Sequence, residues 1–291
     1  MTQTIGFLGA GRMAAAMIKR LLAKGYGVKV WNRSADKIKP LEALGAIACT
    51  TPADAARDVD VVMSFMADDT AAKSVWLGEN GALAAMTNGT VAIECSTLSH
   101  GFVLELSQLI TNGGCAYVDA PVTGIPADIE AGNTTFLIGA AADTLDRIRP
   151  ILSDTGKKTI HFGPIGSGTV YKLMHNLLGA VHIAAAAELV AVAKQAGLDG
   201  DLVAETFANG ANASPSGLMT VPGMVSGNHH EGIHFTGALR AKDASYALAL
   251  AQEYGMTVPV GQAAHDVFEK TTRAGLGDLA QSAVIETVAK S

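Results

Sequence analysis

The 291-residue sequence has few cysteines, few charged residues and no run of basic residues. Its three cysteines, Cys49, Cys95 and Cys115, have neither metal-ligand spacing nor the even number of a disulfide framework, so we expect reduced thiols and no metal site. A net charge of −6 without a basic patch disfavours nucleic acid as a partner. Charged residues are 16% and hydrophobic residues 49%, which is typical of a globular chain rather than a disordered one.

The sequence also lacks recognisable targeting and membrane-spanning segments. The N-terminal stretch MTQTIGFLGAG has neither the basic flank nor the cleavage site of a signal peptide. The longest apolar tract, LLGAVHIAAAAELVAVA, is rich in alanine and is interrupted by His182 and Glu188, which favours a buried helix over a bilayer span. We therefore expect a cytoplasmic protein without a membrane partner.

Short apolar runs alternate with helical patterns in the first half of the chain. The strand-like runs are Thr4–Gly9, Val28–Asn32, Val59–Phe65, Val91–Glu94 and Ala116–Asp119. Helical spacing occurs over Arg12–Lys24 and Ile38–Leu44. This alternation predicts a parallel sheet that is covered by helices on both faces.

The pattern changes after about residue 165. The segment Thr169–Ala196 reads as one long helix that is broken by Gly197, and shorter helical segments follow it, separated by the turn-like stretches NGANASPSG and SGNHHEG. The sequence therefore predicts an α/β N-terminal domain over residues 1–163 and an all-α C-terminal domain over residues 164–291, joined by the long helix.

A glycine motif follows the first strand-like run. Gly9, Gly11 and Ala14 form G-x-G-x-x-A between this run and the next helical pattern. In that context the first glycine permits a tight turn, the second lets the backbone approach a pyrophosphate, and the alanine lets the helix pack closely on the strand. The helix N-terminus can then hold the phosphates. The motif predicts a Rossmann-type dinucleotide site, against the alternative of a strand–turn–helix without a ligand.

The second strand-like run ends in VKVWNRS. A site for NAD usually has an acidic residue here that binds the ribose hydroxyls, whereas this chain has Asn32, Arg33 and Ser34. Arg33 can stack on adenine and pair with a 2′-phosphate, which an aspartate would repel. We therefore expect NADP as the cofactor, with NAD as the alternative. The other interpretation of Arg33 is a solvent-facing arginine.

Four motifs occur in the order found in the β-hydroxyacid dehydrogenases: GFLGAGRMAAAM, DAPVTG at residues 119–124, GSGTVYKLMHN, and KD at residues 242–243. The sequence resembles this family, which includes 3-hydroxyisobutyrate dehydrogenase and related semialdehyde reductases, over essentially its whole length. The resemblance implies hydride transfer between a nicotinamide cofactor and a small carboxylic acid, either a short β-hydroxy acid or its semialdehyde. It also implies a homodimer or homotetramer, formed mainly through the C-terminal domain.

The resemblance implies roles for individual residues. The catalytic lysine of the family falls on Lys172 and its substrate-orienting asparagine on Asn176, an i, i+4 pair on one helix face. The substrate-binding positions fall on Thr123, Gly124, Ile125 and Phe235. The cofactor-binding positions fall on Gly9, Gly11, Arg12, Met13, Asn32, Arg33, Ser34, Met66, Thr97 and Lys242.

Lys172 lies in GSGTVYKLMHNLL, where an ammonium group among apolar and small residues costs free energy unless a partner or a task compensates. A lysine that snorkels its head to solvent is the structural alternative. In a desolvated cleft beside an oxidised nicotinamide, we expect its pKa to be lowered and its amine to exchange a proton with the substrate hydroxyl. The alternatives to a dehydrogenase are an imine reductase, which usually lacks this lysine, and a catalytically silent NADP-binding regulator or scaffold.

Three positions depart from the family pattern. Thr123 replaces a serine and keeps the hydroxyl, while Ile125 replaces a second glycine and adds bulk to the substrate loop. His175 replaces an asparagine, and it either faces the neighbouring domain or contacts the substrate. The sequence therefore predicts the class of reaction without naming the substrate.

Overall fold

The computed structural model describes residues 3–288, and within them nine strands form one sheet in the N-terminal part of the chain. The strands are β1 (Thr4–Leu8), β2 (Gly27–Trp31), β3 (Ile47–Ala48), β4 (Val61–Ser64), β5 (Val91–Glu94), β6 (Ala116–Asp119), β7 (Val122–Thr123), β8 (Thr135–Gly139) and β9 (Lys158–Gly163). The helices between them are α1 (Arg12–Ala23), α2 (Lys39–Glu42), α3 (Pro52–Ala56), α4 (Asp69–Leu77), α5 (His100–Asn112), α6 (Pro126–Ala131) and α7 (Ala142–Thr155), with short 3-10 turns at Ala35–Lys37 and Ala82–Ala85.

The strand order is β3-β2-β1-β4-β5-β6-β8-β7, and β9 also pairs with β8. The parallel strands end in register, because Leu8 is opposite Trp31 and Ser64, Ser64 is opposite Glu94, and Glu94 is opposite Asp119. The direction in which strands are added reverses between β1 and β4. Open α/β sheets bind ligands outside the carboxyl ends of the strands at such a point, and the predicted cofactor residues other than Lys242 follow those ends.

The sheet is parallel from β3 to β6, as the sequence predicts, but the prediction of an entirely parallel sheet is wrong at one edge. There, β8 runs antiparallel to β6 and β7. Residues 124–134 connect β7 to β8, and they contain only the six-residue helix α6. This connection is too short for the crossover that parallel pairing requires. The strands β3, β7, β8 and β9 lie outside the predicted runs.

Apolar side chains cover both faces of the sheet, which confirms that part of the prediction. On one face, Phe7 of β1 belongs to the same core cluster as Met17 of α1 and Ile148 of α7. On the other face, Leu8 belongs to a cluster with Trp76 of α4. Successive residues of a strand point to opposite faces, so one strand contributes to both clusters.

The C-terminal part of the described chain is helical, with no strand between residues 173 and 288. Its helices are α8 (Ser167–Gln195), α9 (Gly200–Asn209), α10 (Pro215–Ser226), α11 (Gly237–Glu253), α12 (Pro259–Thr271) and α13 (Ile285–Val288), with a π-helical turn at Thr272–Leu276 and a 3-10 turn at Gln281–Val284. The predicted long helix is confirmed as α8. It ends shortly before Gly197, whose φ of +75° stops the helix in a left-handed conformation.

Helix α8 is long and apolar enough to cross a membrane by length and composition alone, but 56% of its most apolar window is buried inside the protein. Ala180, Ile183 and Ala187 belong to the core cluster of the C-terminal helices, as in a core helix. The chain forms two compact units that divide between Lys172 and Leu173, within α8. The predicted domain boundary after residue 163 stays a prediction.

Candidate active site

The loop Gly9–Gly11 joins β1 to α1. Gly9 has a φ of +104°, and a Cβ there would lie 2.7 Å from the Phe65 carbonyl oxygen, so the position requires glycine. Gly11 precedes the first turn of α1, and a Cβ there would have no described atom within 4 Å. Gly11 offers no side-chain acceptor to that turn, which also has no acidic residue. The first-turn N–H groups and the open space beside them fit the pyrophosphate of a dinucleotide.

The side-chain amide of Asn32 links two of the predicted cofactor segments. Its Oδ1 accepts a hydrogen bond from Ala10 N–H at 2.9 Å, and its Nδ2 donates to the Ser34 carbonyl oxygen at 2.9 Å. The amide therefore connects the glycine loop to the turn after β2. Arg33 and Ser34 are the exposed side chains of that turn.

Met66 and Thr97 follow β4 and β5, and a buried carboxylate fixes the first of these turns. Met66 N–H donates to Ser96 Oγ at 2.6 Å, so the Ser96 hydroxyl directs its own proton to Glu94 Oε1. Glu94 also accepts hydrogen bonds from Ser96 N–H at 2.9 Å and from Trp76 Nε1 at 2.7 Å. Burial raises the pKa of Glu94, and these hydrogen bonds oppose the shift.

Asp119, the first residue of the DAPVTG motif, is fully buried at the end of β6. Its Oδ1 accepts a hydrogen bond from Gly166 N–H at 2.6 Å, and its Oδ2 accepts from Thr169 N–H at 2.8 Å and Thr169 Oγ1 at 3.0 Å. The backbone donors lie at the start of α8, where helical N–H groups lack intrahelical partners, so the carboxylate caps the helix and is stabilised by its dipole. Burial raises the pKa of Asp119, and the three hydrogen bonds oppose the shift.

Two glycines let the start of α8 approach the sheet closely. A Cβ at Gly168 would collide with the Leu137 carbonyl oxygen, and one at Gly139 would collide with Asp119 Oδ1. Lys172, which is partly buried, follows in the second turn of this helix. The sheet therefore fixes the position of the helical segment that carries the predicted catalytic lysine.

Asn176 lies one turn after Lys172 and is buried. Its Nδ2 donates to Asp243 Oδ2 at 2.6 Å, and because a carboxylate only accepts, this contact fixes the orientation of the amide. Asp243 Oδ1 lies 2.9 Å from Lys242 Nζ, which is 5.0 Å from the centroid of the Tyr246 ring. Asp243 therefore connects two residues that the resemblance assigns to the site.

Arg240 binds the backbone of Asn176 on α8. Its Nη1 donates to the Asn176 carbonyl oxygen at 2.9 Å, while Nε and Nη2 donate to Gln281 Oε1 at 3.0 and 2.8 Å. Its guanidinium carbon lies 4.5 Å from the centroid of the Phe235 ring. Burial lowers the pKa of Arg240 to about 10, and the charge of Asp243 opposes the shift. Phe235, a predicted pocket wall, is thus linked through Arg240 to Asn176.

The predicted substrate loop leads from β7 into α6. Thr123 pairs with Thr135 of β8 and is partly buried. Gly124 is exposed and has a φ of +122°, a conformation that favours glycine. Ile125, which is partly buried, precedes α6. The loop belongs to the same compact unit as Lys172.

The structure assembles the predicted residues in two groups, one in each compact unit. Within the first unit, the predicted cofactor residues follow the carboxyl ends of β1, β2, β4 and β5, and the substrate loop and Lys172 lie in the same unit. Within the second unit, Asn176, Phe235 and Lys242 are linked through the charged residues of α11. His175 is exposed on α8. The chemical roles of all these residues stay predictions.

Four buried charged residues have no individual role predicted from the sequence: Glu94, Asp119, Arg240 and Asp243. Asp119 and Asp243 lie inside the motifs DAPVTG and KD, so their place in a motif was an available signal. A single acidic residue ending the apolar run VAIE was the signal for Glu94. Arg240 has no local signal, because its partners are 41 and 64 positions away.

Known proteins resemble this chain along its length. Residues 4–163 match the family described as NAD binding domain of 6-phosphogluconate dehydrogenase, and residues 166–288 match NAD-binding of NADP-dependent 3-hydroxyisobutyrate dehydrogenase. Glyoxylate/succinic semialdehyde reductase 1 of Arabidopsis thaliana is 32% identical over 284 residues, which cover 98% of both chains. The NAD-dependent L-serine dehydrogenase of Pseudomonas aeruginosa is 31% identical over 281 residues, which cover 94% of both. The structure of Mycobacterium tuberculosis 3-hydroxyisobutyrate dehydrogenase with L-serine gives a TM-score of 0.86 at 28% identity, covering 99% of both chains.

Replacing Asp119 with asparagine should destabilise the protein, because one side of the new amide cannot accept a hydrogen bond and would face an N–H donor. We expect the free energy of unfolding to fall by about 2–3 kcal/mol in chemical denaturation. The control is Asp146→Asn on α7, which removes only an exposed ion pair with Arg149 and should cost less than about 1 kcal/mol. Equal losses in the two variants would contradict the role assigned to Asp119.

Alanine substitutions at Gly9 and Gly11 should separate folding from ligand binding. Gly9→Ala places a Cβ against the Phe65 carbonyl oxygen in a strained backbone conformation, so it should lower the melting temperature.

In Gly11→Ala the new Cβ meets no described atom of the protein, so the melting temperature should not change. The methyl group fills the space expected to receive the pyrophosphate, so it should weaken dinucleotide binding by about tenfold or more. Calorimetric titration with NADP measures the second effect. Parent-like affinity in Gly11→Ala would exclude this loop as the phosphate site.

Proposed function

Because the chain belongs to the β-hydroxyacid dehydrogenase family of NAD(P)-dependent oxidoreductases, which act on CH–OH groups, we propose that it transfers hydride between NADP and a short β-hydroxy acid or its semialdehyde. Two of the relatives compared above are named glyoxylate/succinic semialdehyde reductase 1 and NAD-dependent L-serine dehydrogenase. These names support a small acid as the substrate.

The observation that carries the proposal is the arrangement of buried charges around α8. Asp119 holds the start of the helix, and Lys172 follows in its second turn. One turn later, Asp243 and Arg240 hold the side chain and the backbone of Asn176. A lysine and an asparagine on one helix face, both on supported backbone, suit proton transfer and substrate orientation. A silent scaffold has no need for this support, and the lysine disfavours an imine reductase.

The bound nicotinamide would supply the chemistry of hydride exchange with the substrate carbon. In oxidation, the neutral amine of Lys172 takes the proton of the substrate hydroxyl as the C–H bond breaks. In reduction, the ammonium group of Lys172 donates that proton and stabilises the negative charge that develops on the carbonyl oxygen. Asn176 orients the same oxygen, while Thr123 Oγ and the Gly124 backbone hold the substrate carboxylate.

The proposed preference for NADP rests on the turn after β2. The amide of Asn32 already bonds to Ala10 and Ser34, and it carries no charge that would repel a phosphate. Arg33 is exposed beside it, with a guanidinium group that suits a 2′-phosphate. A turn of this composition favours a phosphorylated adenosine over a free ribose diol.

Arg33→Asp should weaken NADP binding by about 1.5–3 kcal/mol, because it removes a charge-assisted hydrogen bond to the phosphate. The measurement is calorimetric titration of parent and variant with NADP and with NAD. Arg149→Asp, on α7, is the control for the same change in net charge, and it should bind NADP as the parent does. Equal dissociation constants for NADP and NAD in the parent would contradict the proposed preference.

Lys172→Ala should lower the turnover rate by about 10²–10⁴-fold, because it removes the proposed acid–base group, while NADP binding stays close to that of the parent. Asn176→Ala should cost less activity but should also lower the melting temperature, since Asp243 loses its hydrogen-bond donor. Thr123→Ala should chiefly raise KM by loosening the substrate carboxylate.

These variants require a substrate, so the parent is first assayed with NADP(H) against a panel of short hydroxy acids, aldehyde acids and cyclic imines. Turnover only of imines would favour an imine reductase, and NADP binding without turnover of the panel would favour a scaffold. Lys194→Ala, near the end of the same helix, controls for loss of a lysine from α8 and should keep parent activity. Near-normal turnover of folded Lys172→Ala would show that this lysine only snorkels to solvent.

The C-terminal helices also support a homodimer or homotetramer. Leu178, Leu189 and Val192 are 53%, 47% and 69% exposed along one face of α8, and exposed Ala185 lies on the same face. We expect a second copy of the chain to cover this face. Light scattering at micromolar concentration should therefore give a multiple of the 29.8 kDa chain mass, and a mass of one chain would contradict the assembly.

A further inference from the structure

The predicted substrate loop has a carboxylate built against its backbone. Ile125 N–H donates to Asp128 Oδ2 at 2.8 Å, and Asp128 N–H donates back to the Ile125 carbonyl oxygen at 2.9 Å. A Cβ at Gly124 would lie 3.1 Å from the same Oδ2. The carboxylate therefore packs directly on the peptide between Gly124 and Ile125. It also takes the Ile125 N–H group, which is then not available to an anionic ligand.

The cations on the neighbouring helix bind other acceptors. Helix α1 packs against α6, and its Lys19 forms an ion pair of 2.8 Å with Glu130. Arg20 of α1 donates to the carbonyl oxygens of Asp154 and Glu130. The ion pairs found within residues 3–288 do not include Asp128. The negative charge of Asp128 is thus balanced by a backbone hydrogen bond rather than by a cation.

We infer that Asp128 determines substrate specificity by making the site selective for monocarboxylates whose other substituents are neutral or cationic. This inference rests on the proposed function, in which Thr123 and Gly124 bind one substrate carboxylate. That interaction tolerates the nearby charge because the hydroxyl and backbone donors contact the carboxylate directly. A second carboxylate cannot use the Ile125 N–H group, because Asp128 occupies it, and it is repelled by the charge of Asp128.

The test compares two substrates that differ in a single charge: hydroxymethylsuccinate, and its analogue in which the distal carboxylate is a carboxamide. We expect the parent to prefer the carboxamide in kcat/KM by about 3–10-fold, the size expected for partly screened repulsion between two charges. Asp128→Asn keeps an acceptor for Ile125 N–H but removes the charge, so it should reduce this preference to less than about twofold. Thermal melts verify that each variant is folded.

Glu130→Gln is the matched control, because it removes one negative charge from the same helix without touching the loop. It should keep the parent preference. An unchanged preference in folded Asp128→Asn, or an equal change in Glu130→Gln, would overturn the inference.

A binding arm separates this inference from the proposed function. Calorimetry with NADP present compares the unreactive methylsuccinate with its carboxamide analogue in the parent, Asp128→Asn and Glu130→Gln proteins. If no hydroxy acid turns over but Asp128→Asn alone binds the diacid several-fold more tightly, the proposed function fails and the charge selection stands. If the acids turn over and the preference does not change, only the selection by Asp128 fails. If neither acid turns over or binds, both are overturned.

Discussion

One contact between a buried carboxylate and the start of a helix supports the rest of the candidate site. Asp119 ends β6 and accepts three hydrogen bonds from Gly166 and Thr169, so the sheet and α8 share a fixed point. A carboxylate alone in this interior would be costly, and so would helix N–H groups without acceptors. The hydrogen bonds between the carboxylate and the N–H groups compensate for the burial of both. Lys172 in the next turn and the predicted substrate loop beside β8 are positioned by the same edge of the sheet.

A second group of charges acts on the following turn of α8. Asp243 and Arg240 are three residues apart on α11, and they hold the side chain and the backbone of Asn176. Burial lowers the pKa of Arg240 to about 10, and its Nε and Nη2 donate hydrogen bonds to Gln281 Oε1. Buried charges that are held by hydrogen bonds are rigid, which suits residues that must hold others in place.

The parts of the fold that sequence predicts are those with local causes. The alternation of short apolar runs and helical patterns predicts the parallel strands, and a long stretch of helical spacing predicts α8. The G-x-G-x-x-A motif lies next to the helix that it starts. The antiparallel edge has a less local cause, because the direction of β8 depends on the length of the connection after β7. The hydrogen bonds of Asp119 span 47 and 50 positions, and that of Asn176 to Asp243 spans 67. Contacts between residues so far apart leave no pattern in a short stretch of sequence.

The boundary between the two compact units lies inside α8, so Lys172 belongs to one unit and Asn176 to the other. Yet these residues are four positions apart on an uninterrupted helix, a separation of about 6 Å along its axis. The backbone of one helix sets the spacing of these two predicted site residues. The two residues therefore keep this spacing as long as the backbone hydrogen bonds of this part of α8 stay intact.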